Sequence, residues 1–326
     1  MVRHSNLITP TSTGELQRWV VGGEGGWEPR TGVLVFEYEQ WLAGRSRHAF
    51  VLALHELMMS VTVPDAPEVI INVPNYRGSS FVSLLSWIVT TRLASAHATI
   101  FWRPEHPRLL GYIKSRLEKL GWKLESRRRG KVVELVGQLP EPHPPPKARR
   151  LVTQIEGRDV EFIADFGVFS ADRIDAGTLA LFEVALRGPS VKTLADIGTG
   201  YGYLAIGLIL SGKAHRAIST EVDSVALWLA GLNARAAGVS LALAFEPRPD
   251  MVEPTELTVC NIPTHLEANK SRQLTLGLIR RANIARVLAV VHASLEGRYA
   301  KHFETQTLSV QRYHIYSHVV FDVFPA

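Results

Sequence analysis

From residue 190 onward, apolar runs alternate with amphipathic stretches. The apolar runs at 193–198, 216–222, 256–261 and 285–293 predict strands, and the stretches at 202–212, 224–239 and 268–282 predict helices. Strands and helices that alternate at this spacing predict an α/β fold, with a parallel sheet covered on both faces by right-handed crossovers. The chain then closes with two β-rich runs, TLSVQRYHIYS and HVVFDVFPA, which predict an antiparallel hairpin at the sheet edge.

The first half of the chain repeats this plan more weakly. Its candidate strands are 18–27, 32–39, 68–74, 97–103 and 130–137, and its helical stretches are 80–94 and 107–120. A chain of 326 residues exceeds one ordinary core, and 68–117 follows 256–303 in order and spacing, which indicates an internal duplication. The segment LPEPHPPPKARR at 139–150, with five prolines, predicts an extended linker. We therefore expect domains at 1–138 and 151–326.

Composition restricts the compartment and the cofactors. No apolar run reaches the roughly 18 residues that span a bilayer, and the start of the chain lacks the apolar core of a signal peptide. The single cysteine, Cys260, excludes an internal disulfide and a Cys-rich zinc site. We expect a cytoplasmic protein without a metal or a membrane partner.

The charge is concentrated in the first half. Residues 1–150 hold 20 Lys and Arg against 13 Asp and Glu, a net charge of +7, whereas residues 151–326 hold 16 against 18, a net charge of −2. The densest run is Arg127, Arg128, Arg129 and Lys131. Cationic side chains bind polyanions by releasing condensed counterions, so RNA is a candidate partner of this half. The alternative is a solvated surface with no partner.

A glycine-rich turn follows the first strand of the second half. Asp196 ends that strand, and Gly198, Gly200 and Gly202 precede a helix. Glycines at such a turn allow a ligand to approach the backbone, and the helix start offers free amides. The next strand ends in Glu221, whose carboxylate can accept hydrogen bonds from both ribose hydroxyls. Together they predict an adenosine-containing cofactor. The glycine spacing departs from the GxGxxG of dinucleotide sites.

The predicted strand 256–261 ends in Asn261, which Ile262 and Pro263 follow. The Asn side-chain oxygen and the Ile262 carbonyl can each accept a hydrogen from one planar NH2 group, and proline restricts the bend between them. These two hydrogen bonds orient the nitrogen for in-line attack on a methyl group, and no general base is needed. The first half keeps a related ending, INVPNY at 71–76, but lacks an acidic residue before its glycine turn. We interpret it as a degenerate copy.

On these residues the second half resembles the class I S-adenosylmethionine-dependent methyltransferases, and more closely the methyltransferase small family. The segment GVFSADRIDAGTLALFE at 167–183 adds to the likeness. The family's ribosomal RNA guanine-N2 enzymes consist of two tandem Rossmann-like domains, of which the first lacks a cofactor site. The resemblance therefore implies S-adenosylmethionine as cofactor, guanine N2 of ribosomal RNA as substrate, and a second domain built on a seven-stranded sheet.

The resemblance also implies roles for particular residues. Asn261, Ile262 and Pro263 match the catalytic ending. The expected cofactor-binding residues are Phe169, Thr178, Asp196, Gly198, Thr199, Gly200, Glu221, Val222, Glu246 and Asn261. Thr264 stands where the family carries an aromatic residue that stacks on the target base.

Two other functions remain open at this stage. The chain could methylate another planar amine or amide, such as adenine N6 or a protein glutamine, and would then not need the basic half. It could also have lost catalysis and bind only RNA or the cofactor, as the Thr264 substitution suggests.

Overall fold

The structure is a computed structural model that describes residues 16–22, 30–45, 50–59, 63–75, 77–130, 132–141, 143–263 and 268–326. The described residues divide into two compact units. One, the first domain, comprises those up to Arg149 together with Asp165–Ala171; the other, the second domain, comprises Arg150–Ala164 and Asp172–Ala326. No helix among the described residues is long and apolar enough to cross a membrane.

The first domain contains one seven-stranded sheet and four α-helices among its described residues. In chain order these are β1 Arg18–Val21, β2 Thr31–Val35, α1 Tyr38–Arg45, β3 Phe50–Ala53, α2 Leu54–Met59, β4 Ala66–Val73, α3 Gly78–Ile88, β5 Ala94–Pro104, α4 Leu110–Glu118, β6 Leu124–Arg129 and β7 Val132–Gln138. The strand order is β3-β2-β1-β4-β5-β7-β6, with β7 antiparallel to both of its neighbours.

The second domain begins with a two-stranded hairpin and continues into a second seven-stranded sheet. Its elements are β8 Arg150–Ile155, β9 Arg158–Ile163, α5 Ala176–Arg187, β10 Val191–Ile197, α6 Tyr203–Leu210, β11 Ala214–Glu221, α7 Ser224–Ala236, β12 Leu241–Phe245, β13 Leu257–Asn261, α8 Ala268–Ala282, β14 Arg286–His292, α9 Glu296–Phe303, β15 Leu308–Ile315 and β16 His318–Pro325. The strand order is β12-β11-β10-β13-β14-β16-β15.

The two sheets have the same strand order, which confirms the predicted pair of α/β domains and the antiparallel hairpin at the end of the second. The first sheet ends in an antiparallel hairpin as well. Strand β14 of the second sheet is apolar between its ends because both of its faces are buried there. Val287 to Val291 on β14 are all at most 1% exposed, and Phe303 and Phe321 pack beside them. Because β11, β10 and β13 are parallel neighbours, their carboxyl ends meet at one sheet edge.

Several first-domain elements differ from the sequence prediction. The expected strand at 32–39 ends at Val35, and α1 begins at Tyr38, where the Gln40 side chain accepts a hydrogen bond from the Phe36 amide at 3.3 Å. The sequence pattern does not predict strand β6, because LESRRR has only one apolar residue. It is an edge strand, and charged edges need no apolar pattern. The four-residue β3 of this domain also lacks a pattern long enough to recognise, as does the β8–β9 hairpin of the second domain.

Candidate active site

A turn with three left-handed glycines connects β10 to α6. Gly198, Gly200 and Gly202 have φ of 71°, 57° and 95°, a region that costs other residues steric strain. A Cβ added at Gly198 or Gly200 would meet nothing within 4 Å, whereas one at Gly202 would lie 3.3 Å from Ala230. The first two glycines therefore border open space at the sheet edge, and the third permits close packing of α6 on α7.

Asp196 is buried at the end of β10. Its Oδ2 accepts hydrogen bonds from Thr199 Oγ1 at 2.7 Å and from the Ala205 amide at 3.2 Å. Its Oδ1 has no hydrogen-bond partner among the described residues. Burial raises the pKa of this carboxyl to about 6, against the effect of the two hydrogen bonds. An unpartnered buried oxygen costs free energy that a hydrogen-bond donor on a bound ligand would recover.

Glu221 ends β11, the neighbouring strand, and it is 9% exposed. Its Oε2 accepts from the Gly200 amide at 2.8 Å, and its Oε1 accepts from the Val222 and Asp223 amides at 2.8 and 3.2 Å. Burial and the charge of Asp223 raise the pKa of Glu221 to about 7, and the three amides oppose this shift. A carboxylate offers about four lone-pair positions, so one position remains for a ligand hydroxyl.

Asn261 ends β13, on the other side of β10. Its Nδ2 donates to Asp175 Oδ2 at 2.8 Å and to Thr178 Oγ1 at 2.9 Å. A carboxylate only accepts hydrogen bonds, so the NH2 group of Asn261 must face Asp175. No described residue donates to Asn261 Oδ1. The arrangement therefore orients a side-chain oxygen that can accept a hydrogen from a ligand.

Asp175 is the site residue that the sequence reasoning missed. It is the N-cap of α5, and its side chain accepts from the Thr178 amide at 3.0 Å while it holds Asn261. The detectable signal was an Asp immediately before a helix, which is typical of N-caps. Nothing in the sequence links it to a strand 86 residues away. Thr178, expected to line the cofactor pocket, contacts Asn261.

The remaining predicted residues have different surroundings. Thr199 is buried against Asp196, and Val222 is 37% exposed beside Glu221. Both carboxylate oxygens of Glu246 accept hydrogen bonds from the Arg248 guanidinium, at 2.8 and 3.2 Å. This predicted cofactor-binding residue is therefore engaged in an ion pair. Phe169 is 64% exposed in the segment that clusters with the first domain.

The residues around Asn261 are partly described. Ile262 is buried, and its amide donates to the Val290 carbonyl at 3.1 Å; Pro263 is half-buried. Thr264 lies outside the described residues. Cys260 is buried in the core, and burial raises the pKa of its thiol. Among the described residues no three His, Cys, Asp or Glu side chains cluster in a way that could hold a metal ion.

The first domain differs at the corresponding turn. Gly22 follows β1 as Gly198 follows β10, because the two strands have the same place in their sheets. A Cβ on Gly22 would lie 2.5 Å from the Phe36 ring and 2.6 Å from the Asn72 carbonyl. The space that is open beside Gly198 is filled beside Gly22. Residues 23–29, which complete the glycine-rich run, lie outside the described residues.

The arginine run lies on β6, the last strand of the first sheet. Arg127 is exposed and lies 3.6 Å from Glu125, and the Arg128 Nε donates to the Gly130 carbonyl at 3.3 Å. Lys131 lies outside the described residues. Arginines on an edge strand also prevent that strand from pairing with the edge strand of another sheet. The position of the run therefore agrees both with a polyanion-binding surface and with a charged edge that prevents aggregation.

A family model and a solved structure are similar to the second domain and to the fold, respectively. Residues 159–289 match the family described as Methyltransferase small domain, the family whose likeness the motifs indicate. The solved structure of the T. thermophilus 16S rRNA N2 G1207 methyltransferase (RsmC), in complex with AdoMet and guanosine, is similar, with a TM-score of 0.73. It is 18% identical and covers 98% of this chain and 90% of its own chain; at that identity the likeness shows the fold alone.

A sequence relative has a different substrate class in its name. The Release factor glutamine methyltransferase of Cereibacter sphaeroides is 34% identical over 119 residues, which are 32% of this chain and 42% of that protein. The chain therefore matches less than half the length of this relative.

Proposed function

We propose that this protein transfers a methyl group from S-adenosylmethionine to an exocyclic amino group of a base in structured RNA, with guanine N2 as the target. The observation that carries the proposal is the fixed amide of Asn261, whose Nδ2 is held by Asp175 and Thr178. Asn261 lies on β13, the strand next to β10, at the same end of the sheet as Asp196 and the glycine turn.

The residues of the second domain fit the cofactor. Gly198 and Gly200 leave space at the strand ends. Asp196 Oδ1 has no hydrogen-bond donor among the described residues, so it can accept a hydrogen bond from the ligand. Glu221 keeps an acceptor position for a ribose hydroxyl. When bound, S-adenosylmethionine supplies an electrophilic methyl group on its sulfonium. An ammonium group is the kind of donor that would satisfy Asp196, because it is both cationic and rich in N–H groups.

The Asn261 ending would act on the target amino group. Asn261 Oδ1 and the Ile262 carbonyl each accept one hydrogen of the planar NH2 group, which orients the nitrogen lone pair toward the methyl donor. Accepting both hydrogens also raises electron density on the nitrogen. Preorganised acceptors of this kind act without reorganisation during the reaction. The proton is released to water after transfer, so no general base is required at Asn261.

RNA is supported by the charge of the first half and by the fold. Residues 1–150 have a net charge of +7, and the exposed Arg127 and Arg128 of β6 form part of it. The similar solved structure is of an rRNA methyltransferase. A net positive surface favours a phosphate-bearing substrate over a neutral protein loop.

A labelling experiment tests the proposal. The full chain is incubated with methyl-labelled S-adenosylmethionine, total cellular RNA and soluble cell protein, and the RNA is then digested to nucleosides. We expect label in N2-methylguanosine. Asn261→Ala should remove the label, whereas the matched control Asn283→Ala, an exposed Asn on the same domain, should retain it. Label in another nucleoside would refute the guanine-N2 assignment.

Methylation of a protein glutamine is the second candidate, because the sequence relative bears that activity in its name. A glutamine amide also presents a planar NH2 group that Asn261 could hold. The two candidates separate in the same experiment: protease-sensitive label that resists nuclease would establish the glutamine activity and exclude RNA as the substrate.

A further inference from the structure

The first domain contains a cavity that the proposed catalysis does not use. It has a volume of about 340 Å³ and lies between the end of β4, helix α3 and helix α4. Its lining is Val73, Pro74, Asn75, Gly78, Val82, Leu109, Tyr112 and Ile113. Small-molecule sites range from roughly 300 to 1,000 Å³ and combine apolar walls with a few polar groups. This cavity meets both criteria.

Tyr112 gives the cavity an aromatic wall that solvent reaches. Its side chain is 47% exposed, although the neighbouring Ile113 is 1% exposed. An aromatic ring in this position can stack on a planar ligand. The side chain of Asn75 adds an amide with both donor and acceptor capacity, and its backbone amide is fixed by Glu105 Oε2 at 2.9 Å. An apolar slot with one ring and one amide suits a nucleobase, which has two flat faces and a polar edge.

Cationic residues flank the ring along the helix. Arg116 follows Tyr112 by four residues on α4, so these two lie on one face of that helix, and Arg108 lies in the single 3₁₀ turn 107–109 that leads into α4. Arg108 is exposed. Arg116 is held toward α3 because its Nε donates to Ser83 Oγ at 2.7 Å. A base stacked on Tyr112 would thus have cations on both sides for its phosphates.

We infer that this cavity binds one unpaired nucleobase of the RNA substrate, stacked on Tyr112, with Arg108 at the adjoining phosphate. The inference relies on the proposed function for the choice of RNA as ligand. It assigns the first domain a role in holding RNA at a site other than the methyl-transfer site.

The test uses NMR of the full chain with labelled Ile, Leu and Val methyl groups, titrated with guanosine 5′-monophosphate. Ring currents of a bound base should shift the methyl signals of Val73, Val82, Leu109 and Ile113. Tyr112→Ala should weaken this binding about fivefold to 100-fold, the range for losing one base–aromatic stack. Tyr112→Phe and the exposed control Tyr316→Ala should leave it unchanged.

The outcomes separate this inference from the proposed function. Shifts confined to Ile262 would place the base only at the methyl-transfer site and overturn the inference. Cavity methyl shifts that titrate with the same affinity in Tyr112→Ala as in the wild type, or the absence of such shifts in the wild type, would also overturn it. Shifts caused by N-acetyltryptophanamide but not by the nucleotide would indicate a protein side chain as occupant. Cavity shifts without any RNA methylation would support the inference and refute the proposed function.

Discussion

Asn261 and Asp175 are joined by a hydrogen bond of 2.8 Å, from the Asn261 Nδ2 to the Asp175 Oδ2, across 86 residues of sequence. The same Asp175 oxygen caps helix α5 through the Thr178 amide. One carboxylate therefore ties the end of β13 to the start of α5. The bond determines which face of the Asn261 amide is left for a substrate.

Asn261→Ala should lower the methylation rate by roughly 100-fold or more, because it removes one preorganised contact to the reacting group. The affinity for S-adenosylmethionine should remain nearly unchanged. Single-turnover kinetics and calorimetry measure the two quantities. Asn72→Ala, at the corresponding strand end of the first domain, should leave the chemical step intact on folded protein. Equal losses from both changes would contradict a degenerate first domain.

Asp175→Ala should lower both turnover and stability. It releases the Asn261 amide from its main acceptor and removes a helix cap, which contributes about 0.5 to 2 kcal/mol. Asp175→Asn keeps the side-chain length and an acceptor oxygen, so it should restore most of the stability and part of the turnover. Chemical denaturation and kcat measurements check this. Full turnover in Asp175→Ala would show that Asn261 needs no positioning by Asp175.

Glu221→Ala should weaken S-adenosylmethionine binding at least about tenfold, because hydrogen bonds to a charged acceptor contribute roughly 1.5 to 3 kcal/mol each. Isothermal titration calorimetry measures the affinity. Glu256→Ala is the control, since that carboxylate binds the Lys192 amide at the opposite end of the strands. An unchanged affinity in Glu221→Ala, or binding of NAD instead, would refute the cofactor assignment.

The raised pKa of Glu221 predicts opposite pH trends for stability and cofactor binding. The folded-state pKa of about 7 lies above the ordinary value of 4.5, so folding is favoured below pH 4.5, and this contribution, about 3 kcal/mol, is lost as the pH rises to 7. Cofactor affinity should instead rise as the pH passes through about 7, where the folded-state carboxylate ionises. Thermal melts and titrations of the wild type should show both trends relative to Glu221→Gln, which cannot ionise. Identical profiles would contradict the assignment.

Replacing Arg127, Arg128 and Arg129 with Ala should weaken RNA binding and reduce its salt slope by up to about three. Cofactor affinity should not change. Fluorescence anisotropy at several salt concentrations measures the slope. The matched control replaces three exposed basic residues of the second domain, Arg158, Lys192 and Arg216. If both triple variants behave alike, β6 is only a solvated edge strand.

The sequence by itself determined the second domain in most respects. The alternation of apolar runs and helices predicts its parallel sheet, and α8 was expected at 268–282, where the structure places it. The glycine turn and Glu221 were found because their chemistry requires particular residues at the ends of adjacent strands. Local patterns are sufficient here, because central strands such as β13 and β14 are largely buried on both faces and the turn after β10 needs glycine.

The tertiary structure alone decided three features: the partners of Asn261, the occupation of the space beside Gly22 by the Phe36 ring, and the cavity beside Tyr112. Asp175 has the sequence signature of an ordinary helix cap, and its contact with Asn261 exists only because β13 lies between β10 and β14. Phe36 has the pattern of any core residue, yet its ring occupies the space beside Gly22. Such contacts join residues distant in sequence, so no periodicity or spacing can reveal them; they follow from packing at a fixed strand order.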